Sequence, residues 1–246
     1  MPAMRIVVIT DTHLARRATS FVENWRTVAL WIAEARPDLV VHCGDISLDG
    51  AAHPAELIEA AGMLADLSVL VRFLPGNHDI GDNPIAPGKH AEHPLDLARL
   101  KQYRVLFGPD RWALHAGAWQ VIGLNAQLFG TATAEEEGQF DWLGNELRSG
   151  AGPLGLMLHK PLFRTGPVDR EPMSDMSPVR RVGGCSPCCE AASCALSFPA
   201  THINRVSFSA TASSIAGPLD GLLPARRNAG ADRRKGGGHP HTCAER

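Results

Sequence analysis

Short apolar runs alternate with stretches of helical spacing through most of this chain. Residues 5–10 (Arg-Ile-Val-Val-Ile-Thr), 39–42 (Leu-Val-Val-His) and 69–74 (Val-Leu-Val-Arg-Phe-Leu) are nearly continuous in apolar character, as buried parallel strands are. Between the first two, Val22, Trp25, Val28, Ala29 and Ile32 recur at helical intervals, and the pattern stops before Pro37, predicting a helix over 22–35. A second helix is predicted over 55–65. The third strand ends at Pro75-Gly76, a turn that lets the backbone approach a ligand closely. A polar loop over 81–94 carries His90 and His93 and reads mainly as a solvated segment. Next come a helix over 95–107 and a hairpin, with strands at 111–114 and 119–124 around His115-Ala116-Gly117-Ala118. A helix from 133 to about 148 follows, burying Phe140, Trp142, Leu143 and Leu147, and then a strand over 155–159.

Strand–helix alternation of this kind predicts an α/β domain. In such arrays the loops after parallel strands leave one edge of the sheet, where ligands gather. Here those loops carry Asp11-Thr12-His13, Gly44-Asp45 and Gly76-Asn77-His78-Asp79, residues far apart in sequence that the fold brings together. Carboxylate, amide and imidazole donors suit Mn, Fe or Zn better than they suit soft thiolate chemistry.

The order Asp11-x-His13, Gly44-Asp45, Gly76-Asn77-His78-Asp79, followed by a strand-ending His in Leu158-His159-Lys160-Pro161, resembles the calcineurin-like metallophosphoesterases over about residues 4–170. The resemblance implies a four-layer α/β/β/α sandwich, two mixed sheets packed together with helices outside and two metal ions at one rim. It implies that Asp11 and His13 hold one ion, that Asn77 and His159 hold the other, and that Asp45 bridges them. His78 is then a catalytic group at the leaving oxygen rather than a ligand, and Asp79 orients it or pairs with a cation. An Asn at position 125 faces the site in some members. The Asp-Thr-His-Leu start and modest length are closest to the bacterial cyclic-nucleotide phosphodiesterase branch. The expected substrate is therefore a small, nucleotide-like phosphoester.

At 246 residues the chain is long enough for one sizeable core, and 44% hydrophobic with 20% charged residues is ordinary for a soluble protein. A net charge of −2 offers nucleic acid and anionic membranes no electrostatic attraction. No apolar segment reaches membrane-spanning length and the first residues lack a secretory core, so the cytoplasm is the expected location. No residue pattern specifies an oligomeric state.

The resemblance fails at its last block. The family closes its site with Gly-His-x-His after one more strand, and neither Thr201-His202-Ile203-Asn204 nor His239-Pro240-His241 supplies it. From about Met176 the chain becomes rich in Ser, Cys, Arg and Ala, so we divide it into a phosphoesterase domain at 1–175 and an atypical tail at 176–246. The tail reads as an out-of-frame translation. Joining the third base of each codon to the first two of the next lets residues 196–204 encode Val-Val-Ser-Gly-His-Ala-His-Gln, an apolar strand end followed by the missing motif. In the same frame, residues 182–191 can encode an amphipathic helix. Two alternatives compete with the enzyme reading: a non-catalytic metal-binding relative, and a zinc module on Cys185, Cys188, Cys189 and Cys194, whose Cys-x₂-Cys lacks a second pair at usual spacing.

Overall fold

The computed structural model describes residues 4–84, 91–150, 152–162, 204–207 and 217–218. The first sheet is built on β1 (Arg5–Ile9), β2 (Leu39–Cys43) and β3 (Val71–Leu74), joined through α1 (Thr19–Ala35) and α2 (Pro54–Leu64). β2 pairs in parallel with β1 on one side and β3 on the other. The short helix α3 (Asn77–Ile80) and α4 (Leu97–Phe107) follow. The second sheet has the order β4 (Trp112–Ala116), β5 (Trp119–Gly123), β6 (Leu154–Met157), with α5 (Ala134–Ser149) between β5 and β6. Its β4–β5 pair is antiparallel and its β5–β6 pair parallel.

Period-two alternation sorts the side chains of β1 and β2 into two cores. Val7, Ile9 and Val40 face α1, α2 and α4, where Trp25, Ile32, Leu57, Leu64, Leu100 and Tyr103 meet them. Ile6, Val8, Leu39, Val41 and Cys43 point the other way, onto Trp112, Val121 and Met157 of the second sheet. The outer face of that sheet, with Ile122, Leu154 and Leu156, packs on Leu143, Phe140 and Trp142 of α5. The layers are therefore helix, sheet, sheet, helix, as the resemblance implies. Trp112 fastens the two sheets directly, its indole N–H donating to the Phe73 carbonyl at 3.1 Å.

Helix starts follow local chemistry. Pro54 occupies the first turn of α2, where its missing N–H costs nothing. Asp96 caps α4 by accepting from the Ala98 N–H, and Thr133 caps α5 by accepting from the Glu136 N–H. α1 starts three residues earlier than its apolar spacing suggests, and α3, too short for periodicity to reveal, is an addition.

Beyond position 203 two short strands are described, β7 (Asn204–Ser207) and β8 (Gly217–Pro218). β7 pairs antiparallel with β1, making the first sheet mixed, with order β3-β2-β1-β7-β8. His202, His239, His241, the four clustered cysteines and His90 lie outside the described residues.

His42 is fully buried in β2, with Nε2 2.9 Å from the Thr12 hydroxyl and its ring stacked on Phe73. Burial lowers its pKa from 6.5 to about 3, so it is neutral in the fold and takes up a proton on unfolding. Its contribution is present above the unfolded value near 6.5 and is lost as pH falls toward 3. By pH 5 this amounts to about 2 kcal/mol. Chemical-denaturation curves between pH 7 and 5 are expected to show that loss in the parent chain. The slope should be flatter by the same amount in His42→Leu.

Candidate active site

The loops leaving β1 and β2 zip together. The N–H groups of Asp11, His13 and Leu14 donate to the carbonyls of Gly44, Asp45 and Ile46 at 3.0, 3.0 and 2.7 Å. This pairing holds Asp11, His13 and Asp45 at φ of 55°, 45° and 51°, the left-handed region that residues bearing a Cβ seldom adopt. Three side chains that the resemblance makes ligands thus stand on strained backbone. Gly44 permits the close approach: a Cβ there would lie 2.7 Å from the His159 ring, and one at Gly76 would lie 2.1 Å from Asp45 Oδ1.

Asp79 ties the third loop to the second. Its carboxylate, fully buried, accepts from the N–H groups of Gly76 (2.9 Å), Ile46 (3.1 Å) and Ser47 (2.8 Å) and from the Ser47 hydroxyl (2.8 Å). Burial raises its pKa and the charge on Asp45 adds to the rise, against the pull of the donated hydrogen bonds. Asp79 is therefore a positioning residue. Its carboxylate bonds to these loop groups and not to His78, whose Nδ1 lies 2.7 Å from the Leu48 carbonyl, and among the described residues it pairs with no cation.

His159, just past β6, is set by its Nδ1 at 2.9 Å from the Cys43 carbonyl, which leaves Nε2 facing Asp45 Oδ1 at 3.3 Å and Asn77 Oδ1 at 3.2 Å. A backbone carbonyl behind the ring is how ligand imidazoles are commonly fixed. Burial alone lowers its pKa, but Asp45 outweighs it and lifts the value to about 9. Burial likewise works to raise Asp45, and the His159 and His78 contacts overcome it, holding that carboxyl below its ordinary range. The His13 Nε2 sits 3.9 Å from both Asp11 Oδ1 and Asp45 Oδ2, and the His78 Nε2 lies 4.0 Å from Asp45 Oδ2.

All five sequence-predicted ligands and His78 thus meet at one rim. Donor atoms of His13, Asp45 and His78 lie within 4.8 Å of one another, as do those of Asp11, Asp45 and His159, so Asp45 belongs to both groups. The donor set fits metal ions. It is oxygen and imidazole nitrogen throughout, and burial together with the neighbouring Asp45 raises the pKa of Asp11, an electrostatic conflict that a cation relieves.

The model of the calcineurin-like phosphoesterases matches residues 4–184. The chain belongs to this family. A 3′,5′-cyclic-nucleotide phosphodiesterase of Nostoc is 30% identical over 169 residues, covering 63% of this chain and 56% of that protein; the chain spans about half the relative's length. The fold is shared with a dimetal phosphatase from Danio rerio (TM-score 0.55, 14% identity, 88% of this chain and 87% of that one). It is also shared with the anchor of the inner membrane complex of Plasmodium (TM-score 0.51, 11% identity, 81% and 66%).

Within this calcineurin-like phosphoesterase, Asn125 does not join the cluster of candidate ligands. It is fully buried, donates to Asp110 at 2.9 Å, and is clasped by Gln139 through its own backbone N–H and carbonyl. His93 lies in the wall of the cavity beside His78. Sequence reasoning missed Lys160. It is buried next to His159 and donates to Asp82 and to Asn83 Oδ1 (2.9 Å), tying the β6 loop to the segment after α3. Its place next to the ligand in Leu158-His159-Lys160 was the available signal. Ser47, one of the partners of Asp79, had none.

Backbone strain at position 13 gives a direct test. His13→Gly is expected to be more stable than His13→Ala by about 1 kcal/mol in chemical denaturation, because glycine adopts positive φ without penalty. Equal stabilities, or alanine ahead, would show the loop relaxed.

Proposed function

We propose that this chain is a phosphodiesterase that hydrolyses a small nucleotide-like ester at the cluster centred on Asp45. The observation that carries this reading is the sharing of Asp45 between two groups of ligand atoms, as a carboxylate bridging two ions requires. The family resemblance would give Asp11 and His13 to one ion and Asn77 and His159 to the other, whereas the convergent donor atoms group Asp11 with His159 and His13 with His78; Asp45 is common to both partitions, and Mn, Fe or Zn would suit these donors. When bound, the pair of ions supplies a hydroxide at neutral pH and neutralises the phosphoryl oxygens.

The remaining work falls to the protein. The Asp79 clamp keeps Asn77 and Asp45 in register. His78, with its side chain 42% exposed and its Nδ1 2.7 Å from the Leu48 carbonyl, keeps Nε2 4.0 Å from Asp45 Oδ2 at the edge of the cluster. From there an imidazolium gives its proton to the departing oxygen. The cyclic-nucleotide specificity of the Nostoc relative supports the substrate class. The net charge of −2 argues against a nucleic-acid substrate, and no helix among the described residues is long and apolar enough to cross a membrane.

The tail carries its own proposal. The family match ends at residue 184, beside the codons for 175–182 where we place a change of reading frame. Sequencing the coding DNA there is expected to reveal one base missing or gained, restoring Gly-His-x-His. An unaltered sequence would make the tail genuine and favour the non-catalytic relative instead, since the motif that completes both metal sites would be absent. In the frame-restored protein, Asp45→Ala and Asn77→Ala are each expected to lower turnover of cyclic nucleotides by roughly 10²-fold or more, with reduced metal content. Full activity in either variant would sink the bridging assignment.

A further inference from the structure

Beside His78 the surface opens into a cavity of about 490 Å³, bounded by Asn77 and His78 on the cluster side and by Arg17, Asp49, Asp82 and Glu92 elsewhere. These charges are unequally matched. The Arg17 Nε donates to Glu56 Oε1 at 2.6 Å, so a nearly buried carboxylate neutralises the guanidinium from behind. Asp82 is neutralised by the ammonium of Lys160. Asp49 has His53, whose Nε2 is 3.9 Å away, and shares the charge of Arg17 with Glu56, while Glu92 is exposed with no ion pair among the described residues.

Among the described residues, the carboxylates of Glu56, Asp49, Asp82 and Glu92 therefore outnumber the cations Arg17 and Lys160 around the wall that an ester held at His78 would meet with its organic part. Ionised carboxylates only accept hydrogen bonds, so they match a group rich in hydroxyl donors. A second phosphate or carboxylate on the ligand would face like charge, and the one guanidinium on the wall is already paired. We propose that this cavity is the subsite for the organic group of the ester, and that Asp49 and Glu92 select a group bearing hydroxyls and no second negative charge. The Glu56–Arg17 and Lys160–Asp82 pairs hold the wall in shape. Glu56 also accepts from the Asp49 N–H at 2.8 Å, which fixes one selecting residue by the same carboxylate that restrains Arg17.

The proposal rests on the phosphoesterase reading above, and direct binding separates the two. The frame-restored full chain, supplied with Mn²⁺, is titrated by calorimetry with inorganic phosphate, adenosine 5′-monophosphate and adenosine 3′,5′-bisphosphate. The monophosphate is expected to bind roughly tenfold more tightly than phosphate, and the bisphosphate roughly tenfold more weakly than the monophosphate. In Glu92→Gln, at an exposed position that leaves the fold alone, the gap between the two nucleotides narrows about threefold, and in Asp49→Asn it narrows likewise. A bisphosphate that binds as tightly as the monophosphate, or a gap untouched in both variants, overturns the selection. Failure of phosphate itself to bind overturns the phosphoesterase reading and this proposal with it.

Discussion

The arrangement of the site depends first on the buried carboxylate of Asp79. Asp79 gathers the N–H groups of Gly76, Ile46 and Ser47, donors from two loops that follow different strands. A buried anion satisfied by several donors in fixed directions is among the stiffest local arrangements available to a protein, because moving any donor leaves a charge poorly solvated. With those loops locked, Asp45 and Asn77 have little freedom left. The N–H of His78 then bonds to Asp45 Oδ1 at 3.0 Å, and the two loops are joined a second time.

The layers beneath supply what this clamp needs. β1 and β2 are apolar on both faces because each is covered on one side by helices and on the other by the second sheet. That double burial removes the option of sliding by one residue, which would reverse every side chain. Register in the sheet thus becomes register in the loops, and the pairing of the Asp11–Leu14 segment with Gly44–Ile46 continues the strand alignment past the sheet edge. His159 enters from the second sheet and is held to the first through the Cys43 carbonyl, so the cluster straddles the junction of the two sheets.

Much of this was legible in the sequence, for a physical reason: strands buried on both faces write continuous apolar runs, and the polar residues that interrupt them stand out. Asp11, His13, Asp45, Asn77 and His159 were visible because each ends such a run or closely follows one. What could not be read were partnerships between distant residues. Asp79 looked like a companion of His78, its neighbour in sequence, whereas its partners include Ile46 and Ser47 on another loop. Asn125 was a candidate through the family resemblance, in which an Asn there faces the site in some members, but Asp110 and Gln139 claim it. The Lys160–Asp82 pair joins two segments whose proximity only the folded sandwich creates.

The strained loop backbone has a consequence for how this protein meets its ions. Small zinc modules fold around their metal and collapse without it. Here Asp11, His13 and Asp45 are held in the left-handed region by hydrogen bonds and packing within the protein, and the donor atoms already converge. A chain folded in this way would offer an ion a convergent set of donors whose backbone the protein's own hydrogen bonds order.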